Sequence, residues 1–201
     1  MNATGIEDLL VRLETWLQKN RPEYFVQLQP GASLSEIESL EQEIGASLPE
    51  ELCQLFLWHN GQRGEMRCFQ FGYVLLGVEG SLEQHRELDE INVGILRNDP
   101  SSTWWSTYWV PILDDGTGDL LCVAAKGLFG GSPGQIVPFV HDDAPGIIEY
   151  PSIRSWLDCF VQSLELGMWQ EEGARFDPID RGAYDQFLQN RVPGFPKTSR
   201  C

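Results

Sequence analysis

Apolar and polar positions alternate most clearly in the middle of the chain, between residues 104 and 143. Residues 108–113, 120–125 and 135–140 are short runs of aliphatic and aromatic side chains, each bounded by Gly, Pro or Asp. Such runs are typical of β-strands. Two glycines and several aspartates separate the first run from the second, which is the composition of a tight turn. We therefore predict an antiparallel meander of three strands.

Helical periodicity dominates on both sides of this meander. Apolar residues recur every three or four positions in five segments, as they do along amphipathic helices. Start and stop signals support the assignment, because Ser33 and Glu36 have the spacing of a capping box, and Gly45 and Gly167 follow the ends of two segments. The predicted helices are residues 6–20, 34–44, 49–58, 81–91 and 153–164.

Weaker patterns fill the rest of the chain. Residues 24–28 are predicted to be extended, residues 68–76 to form a strand and residues 147–150 to form a short strand. Beyond these segments, the apolar side chains near the end of the chain suffice for one short helix. We therefore expect a main domain of residues 1–170 and a C-terminal extension of residues 171–201.

Two blocks of sequence carry recognisable motifs. The first block, residues 30–62, has a capped helix, a glycine turn, a Leu-Pro before the next helix and a closing Asn-Gly. The second block has Trp-Val-Pro-Ile at residues 109–112, a Gly-Asp within residues 114–119, Gly-Gln-Ile at residues 134–136 and His-Asp-Asp at residues 141–143. Together they resemble the SUKH superfamily, which is named for fungal cell-wall regulators of the Smi/Knr type. The resemblance covers residues 6–167. It implies an α+β fold in which N-terminal helices and a C-terminal helix pack on a mixed, mostly antiparallel sheet.

The chain is strongly acidic. Thirty Asp and Glu against fourteen Lys and Arg give a formal charge of -16 at pH 7. The excess lies in residues 1–170, because residues 171–201 carry five acids and five bases. A negative surface repels nucleic acids and anionic membranes and attracts basic partners. We therefore expect a basic protein partner and no binding to nucleic acid or membranes, although acidity also serves solubility alone.

Five cysteines, an odd number without a Cys-x-x-Cys pair, are spread along the chain: Cys53, Cys68, Cys122, Cys159 and Cys201. Three of them lie in apolar segments, which is typical of reduced core cysteines. The first residues lack the basic and apolar regions of a signal peptide, and no run of about eighteen apolar residues occurs. These features predict a cytoplasmic protein.

Three acidic residues near two glycines, Asp114, Asp115 and Asp119, raise the possibility of a site for a hard cation. Calcium needs several oxygen ligands on a flexible turn. The spacing differs from that of an EF-hand loop, and an apolar strand segment starts directly after Asp119. We interpret the three aspartates as part of a hairpin turn and predict neither a metal nor another cofactor.

His141 stands beside Asp142 and Asp143, so that a carboxylate could orient its imidazole as a general base requires. A base also needs a nucleophile, and Cys122 is a candidate on a neighbouring predicted strand. No Gly-x-Ser-x-Gly motif and no glycine-rich phosphate loop accompanies them. We therefore interpret His141 as part of a turn at a strand end and predict no catalytic residues.

Adjacent tryptophans and clustered acids form the candidate binding site. Trp104 and Trp105 either pack in the core or offer aromatic contact area on the surface. Acidic residues at turns and strand ends, Glu149 among them, are expected to gather on one rim, which is either simply solvated or grips a basic partner. The candidate partner-binding residues are Trp104, Trp105, Asp114, Asp115, Asp119, His141, Asp142 and Asp143.

Three functional hypotheses follow from these features. The leading hypothesis is a non-enzymatic protein-binding domain, because the SUKH resemblance implies a bacterial immunity protein that neutralises a cognate toxin, and many such toxins are basic nucleases. The second is a regulatory or scaffolding protein of the cell-wall (glucan-synthesis) type, which the same resemblance implies. The third is an uncharacterised enzyme, for which the sequence offers no assembled set of catalytic groups.

Overall fold

The computed structural model describes residues 5–64, 67–128, 130–143 and 146–198. The helices in these ranges are α1 (Ile6–Asn20), α2 (Pro22–Phe25), α3 (Leu34–Ile44), α4 (Glu50–Trp58), α5 (Val78–Asn98), α6 (Ile153–Glu165) and α7 (Arg181–Arg191). The strands are β1 (Val74–Leu75), β2 (Trp109–Asp114), β3 (Leu120–Ala124), β4 (Ile136–Phe139), β5 (Ile147–Ile148), β6 (Trp169–Glu172), β7 (Arg175–Pro178) and β8 (Lys197–Thr198). The predicted α+β class is confirmed.

The central sheet has the strand order β1-β2-β3-β4, and each neighbouring pair is antiparallel. The predicted meander is therefore confirmed, with strand ends within one or two residues of those expected. β2 contains an irregularity between Pro111 and Leu113, where Ile112 is an additional residue without a partner on β3. This β-bulge shifts the alternation of side chains along the second half of β2.

The two faces of the sheet bury two separate apolar clusters. Cross-strand neighbours lie on the same face, and the pairs Val110–Val123 and Val123–Ile136 belong to the larger cluster beneath the helices. Leu120 and Phe139, which pair with each other, belong to a smaller cluster on the opposite face. Trp105, Trp109 and Leu88 also belong to this smaller cluster. The sheet is thus covered on both faces by apolar side chains.

Local signals in the first sequence block explain how its helices begin and end. Ser33 and Glu36 form the predicted capping box at the start of α3, and Gly45 ends that helix in the left-handed conformation at φ 66°. Asn60 then joins distant parts of the chain, because its Oδ1 accepts the hydrogen bond of Val78 N at 2.7 Å and so caps α5. The motif residues that resemble the SUKH superfamily therefore support the fold.

Helix α6, which follows the second block, packs closely against α1. Ser152 caps it by accepting a hydrogen bond from Ser155 N, as predicted, and Gly167 follows it with φ 69°. Trp156 and Phe160 project from α6 into the larger cluster, where both contact the ring of Phe69. The helix therefore anchors the aromatic centre of the protein.

Two predicted extended segments differ from the structure. Residues 24–28 contain the end of the short helix α2, because Pro22 supplies the backbone angle that the first helical residue needs. Most of the predicted strand at residues 68–76 is irregular, and its strand residues are those of β1, Val74–Leu75. Phe71 and Gly72 have φ values of 53° and 85°, which turn the chain and interrupt pairing.

The segment after α6 contains more regular structure than the single short helix expected. β6 and β7 form a hairpin, α7 follows, and β8 pairs with β5 of the preceding part of the chain. Trp169, Phe176 and Tyr184 contribute to the same apolar cluster as α1 and α6. The division of the chain at residue 170 stays a prediction.

Cys53, Cys68, Cys122 and Cys159 are free thiols, as the sequence predicts, and Cys201 lies outside the described residues. Within the four described ranges, none of the helices combines the length and apolar character needed to cross a lipid bilayer.

Candidate functional site

The turn between β2 and β3 and the turn after β4 lie side by side, so that most of the predicted site residues come together. Asp119 Oδ1 accepts two hydrogen bonds from His141, one from the main-chain N at 3.1 Å and one at 2.8 Å from the ring Nδ1. On the other side of the ring, Nε2 lies 3.2 Å from Asp142 Oδ2. His141 is therefore held between two carboxylates.

The aspartates of the β2–β3 turn are used for main-chain hydrogen bonds. Asp114 accepts from Gly116 N at 2.7 Å, and Asp115 accepts from Thr117 N at 2.8 Å and from Asp119 N at 3.1 Å. These contacts are typical of Asx turns. The interpretation of the segment as a hairpin turn is confirmed, and among the described residues no group of three or more His, Cys, Asp or Glu side chains is arranged to hold a metal ion.

The two adjacent tryptophans have different environments. Trp104 is partly buried, stands edge-on to Phe139 and donates from Nε1 to the main-chain oxygen of His141 at 2.9 Å. Trp105 is only 4% exposed, and its Nε1 donates to Asp89 Oδ1 at 2.7 Å. Of the two alternatives, the structure shows core packing for Trp105, whose ring contacts those of Trp109 and Phe139 in the smaller cluster. Its place among the partner-binding residues stays a prediction.

A groove of about 440 Å³ runs between these turns and helix α5. We call it the acidic groove. Trp104, Asp114 and His141 line one wall together with the glycine-rich turn, and Gln84, Glu87, Leu88 and Ile91 of α5 line the other. Gln84 Nε2 donates to Asp114 Oδ2 at 3.1 Å and links the two walls. The groove thus combines a partly apolar floor with carboxylates at its edge.

Helix α5 supplies the part of this site that sequence reasoning missed. The helix is longer than predicted, and Ile91, which was expected on the buried side, is 45% exposed. Val93 and Leu96 in its last turns are also exposed. Exposed aliphatic side chains beside a charged rim are typical of a surface that meets a partner. The signal in the sequence is the run of aliphatic residues that continues past residue 91.

The electrostatics of His141 favour its protonated form. The hydrogen bond that the ring donates to Asp119 raises the pKa of His141, and the negative charge of Asp142 acts in the same direction. Cys122 has the opposite character, since complete burial raises the pKa of its thiol and disfavours the nucleophilic thiolate. The two residues considered as a base and a nucleophile are thus an exposed, acid-paired imidazole and a buried thiol.

The two other histidines make contacts with the main chain. His59 follows the last turn of α4, and its Nδ1 lies 2.5 Å from the oxygen of Gln29. His85 is buried in α5, where its Nε2 lies 2.9 Å from the oxygen of Thr107. Both therefore connect elements of the fold. Glu149, expected on the acidic rim, instead lines a different cavity, together with Tyr73 and Tyr150.

Comparison with known protein families identifies the relationship that the motifs suggest. The family model described as SMI1 / KNR4 family (SUKH-1) matches residues 31–159, which is more than half of the chain. The chain belongs to this family. The SMI1 / KNR4 match includes both walls of the acidic groove and ends within α6. The hairpin β6–β7 and helix α7 lie outside it.

Three curated fungal proteins are similar to this chain. "KNR4/SMI1 homolog 2" of Debaryomyces hansenii is 24% identical, with 85% of this chain and 38% of the relative aligned. "Cell wall biosynthesis/cell cycle regulator smi1" of Schizosaccharomyces pombe is 25% identical, with 79% of this chain and 36% of the relative aligned. "Glucan synthesis regulatory protein" of Neurospora crassa is 29% identical over 40% of this chain and 16% of the relative.

These relatives are much longer than the region they share with this chain. The chain spans well under half the length of each of them. Two of the three names describe regulators, one of cell-wall biosynthesis and the cell cycle and one of glucan synthesis.

Proposed function

We propose that this chain is a non-enzymatic protein-binding domain that holds a basic segment of a protein partner in the acidic groove. One observation carries this proposal. Trp104 and Ile91 offer apolar contact area in the groove, and the carboxylates of Asp114, Asp119 and Asp142 lie beside them at the groove edge. Apolar anchors provide most of the binding energy of such a surface, and the charges around them favour partners of opposite sign.

The net charge supports a basic partner. The chain carries a formal charge of -16, and such a field speeds the encounter with a positively charged protein. None of the described residues that line the acidic groove is Lys or Arg. A peptide with alternating basic and apolar side chains fits this arrangement.

The process in which the domain takes part is proposed from its relatives. Two similar fungal proteins are named as regulators of cell-wall or glucan synthesis. We therefore place first a regulatory or scaffolding role of that type. The second candidate is an immunity protein that neutralises a basic toxin, such as a nuclease, by direct binding in the cytoplasm. The strong negative charge favours it, because a toxin that acts on nucleic acid presents a basic surface.

Affinity purification from the source organism separates the two processes. Recovery of cell-wall or signalling proteins supports the regulatory role, whereas recovery of a toxin domain supports the immunity role. Turnover of a small-molecule substrate by the pure chain would contradict both the regulatory role and the immunity role. The captured partner then serves as the probe for the groove itself.

The groove is tested with Asp142→Lys combined with Asp143→Lys. We expect the affinity for the captured partner to fall about tenfold or more, because the rim charges change sign. The melting temperature should hardly change, since exposed charges contribute little to folding.

The matched control is Glu38→Lys combined with Glu172→Lys, which changes the net charge equally at exposed acids outside the groove lining. Equal losses in the two double variants would assign the effect to overall charge, and unchanged binding in the first would remove the groove from the interface.

A further inference from the structure

A second cavity continues the acidic groove along helix α5. We call it the side cavity. It has a volume of about 430 Å³ and lies between strand β1 and the first half of α5, where Glu79 and Glu83 line it. Gln84 and Asp114 line both the side cavity and the acidic groove. The two cavities therefore lie end to end along one face of α5, with the hydrogen bond between Gln84 and Asp114 at their junction.

This face of α5 is acidic at one end and apolar at the other. Its residues follow one another at intervals of four: Glu79, Glu83, Glu87 and Ile91. An interval of four residues spans about 6 Å along a helix and keeps side chains on the same face. All four side chains are exposed and so are accessible to a partner. Three turns of carboxylates are thus followed by an aliphatic side chain in the groove that Trp104 also lines.

The three glutamates of this face are not neutralised by the described part of the chain. Glu79, Glu83 and Glu87 make no hydrogen bond or ion pair with it. Like charges four residues apart on a helix repel each other. Arg86 of the same helix does not relieve this repulsion, because it binds Glu43 at 2.6 Å and lines neither cavity. The face is therefore free to pair with charges from outside the chain.

The charges around both cavities select a positively charged occupant. None of the described residues that line the side cavity or the acidic groove is Lys or Arg. His141 is the titratable base in the groove lining, and the carboxylates of Asp119 and Asp142 flank its ring. Carboxylates therefore outnumber positive charges along the whole path, and such a field attracts cations and repels anions.

The shape of the path favours an extended chain. Gln84 Nε2 and Asp114 Oδ2 join the two walls directly, at a distance of 3.1 Å. A helix is about 10 Å wide with its side chains, which is too wide for such a junction. In an extended chain, alternate side chains point to the same side and lie about 6.6 Å apart. This distance is close to the spacing of the carboxylates on α5.

We propose that this face of α5 holds an extended segment of the protein partner with a fixed order of side chains. Three alternate positions of the segment are basic and pair with Glu79, Glu83 and Glu87. The next alternate position is apolar and packs between Ile91 and Trp104. The inference rests on the proposed function and adds to it the length of the segment and the order of its side chains.

The test is an NMR titration of the full chain with the capped peptide Lys-Ser-Lys-Ser-Lys-Ser-Leu, in about 0.15 M salt to screen non-specific attraction. We expect saturable shifts of the main-chain amides from Glu79 to Ile91 and of the Trp104 indole. The capped peptide Lys-Lys-Lys-Ser-Ser-Ser-Leu has the same composition without the alternation and should bind at least about fivefold more weakly. Equal affinities, or shifts spread over the acidic surface outside the two cavities, would overturn the proposal.

A triple variant tests the carboxylates. Replacing Glu79, Glu83 and Glu87 with glutamine should weaken binding of the alternating peptide about tenfold or more. The melting temperature should hardly change, because relief of the repulsion offsets the loss of an acid near the helix start.

The matched control replaces with glutamine three exposed acids that line neither cavity, namely Glu38, Glu50 and Glu172. It changes the net charge equally and should keep the peptide affinity within about twofold. Equal losses in the two triple variants would assign the binding to overall charge and contradict the proposal.

A double-mutant cycle tests the apolar end. Ile91→Ala in the protein and serine in place of leucine in the peptide should each weaken binding about threefold. If the two side chains touch, the second change should have little further effect once the first has been made. Fully additive losses would show that the leucine lies elsewhere and would overturn the proposed order.

The captured partner separates a failure of this inference from a failure of the proposed function. If Asp142→Lys with Asp143→Lys weakens binding of that partner but the triple glutamine variant does not, the acidic groove remains the site and the extension along α5 is wrong. If neither variant affects binding, the proposed function fails as well. Losses in both variants, with the control unchanged, support the whole path.

Discussion

The buried guanidinium of Arg21 donates a hydrogen bond of 3.1 Å to Glu171 and so ties the end of α1 to the β6–β7 hairpin. The same guanidinium lies 4.4 Å from the ring centre of Tyr24 and 3.9 Å from that of Phe176. Arg67 joins from the surface, with its Nη1 2.7 Å from Glu171 Oε1. One carboxylate therefore serves two arginines, one of which is inaccessible to solvent.

Replacing Glu171 with alanine is expected to destabilise the protein by about 1 to 3 kcal/mol, because it leaves a buried guanidinium without its counter-charge. The partial exposure of Glu171 keeps the effect below that of a fully buried pair. Urea denaturation followed by tryptophan fluorescence measures the change. Glu172→Ala, at the exposed neighbouring position, is the control and should change stability by less than about 0.5 kcal/mol.

The same ion pair predicts a pH dependence. Burial tends to raise the pKa of Glu171, but the hydrogen bonds and charges of Arg21 and Arg67 outweigh it and lower the pKa below its ordinary value. A lowered carboxyl pKa contributes stability above the unfolded-state pKa, and this contribution is lost as the pH falls through the folded-state pKa. The free energy of unfolding, measured at pH values from 7 down to 3, should therefore fall less steeply for Glu171→Gln than for the wild type. Equal slopes for the two proteins would show that the pair does not titrate with folding.

Gly61 and Gly64 make a matched pair for testing a close backbone approach. Both have positive φ, at 77° and 71°, but a Cβ at Gly61 would lie 2.3 Å from Gly77 N, whereas a Cβ at Gly64 meets nothing within 4 Å. Gly64→Ala should cost about 1 to 2 kcal/mol for the left-handed conformation. Gly61→Ala should cost about 1 to 3 kcal/mol more because main-chain atoms must move. Thermal denaturation of both variants compares them, and equal costs would contradict the contact.

His141 is expected to titrate above the ordinary histidine value of 6.5, because Asp119 accepts a hydrogen bond from its ring and Asp142 adds negative charge. Since the folded-state pKa is raised, the protonated ring stabilises the fold below the unfolded-state pKa, and this effect is lost as the pH rises through the folded-state pKa. NMR titration of the imidazole measures the value. Asp119→Asn should lower it, and an unshifted pKa in that variant would disprove the pairing.

Trp156 lies at the aromatic centre beneath α6 and is only 1% exposed. Trp156→Ala should cost about 3 to 5 kcal/mol, the usual loss for a buried large aromatic side chain. Leu166, at the end of the same helix, is 66% exposed, and Leu166→Ala should change stability by less than about 0.5 kcal/mol. Chemical denaturation of both variants measures the difference. A small loss for Trp156→Ala would mean that the cavity is refilled by its neighbours.

The sequence predicts those elements whose stability depends on nearby residues. Ser33 with Glu36, Gly45 and Ser152 are local signals, and the helices beside them begin or end where expected. The meander is predicted for the same reason, since its turns carry Gly116 and Gly118 at positive φ. Local chemistry is visible in a single sequence because the interacting residues are a few positions apart.

Features that depend on distant contacts could not be predicted. The short strand β8 is defined by its pairing with β5, about fifty residues away. The residue types of Lys197 and Thr198 do not predict this pairing. Trp104 and Trp105 are indistinguishable in composition, and only the position of Asp89 and the sheet decides which is buried. The sequence predicts that the acids of the two turns gather, and Asp119 and His141 do lie together. The contribution of α5 to the groove could not be predicted, because it depends on the three-dimensional packing.

The extra residue Ile112 lets two successive residues of β2 serve the same side of the sheet, since Ile112 and Leu113 both belong to the larger apolar cluster. Without it, Leu113 would follow Pro111 directly and would still oppose Leu121, and Asp114 would still oppose Leu120. Deletion of Ile112 would therefore remove one buried side chain and leave the carboxylate of Asp114 on the side of the acidic groove. Among members of the family, a strand of this length and a strand one residue shorter should both be compatible with the groove.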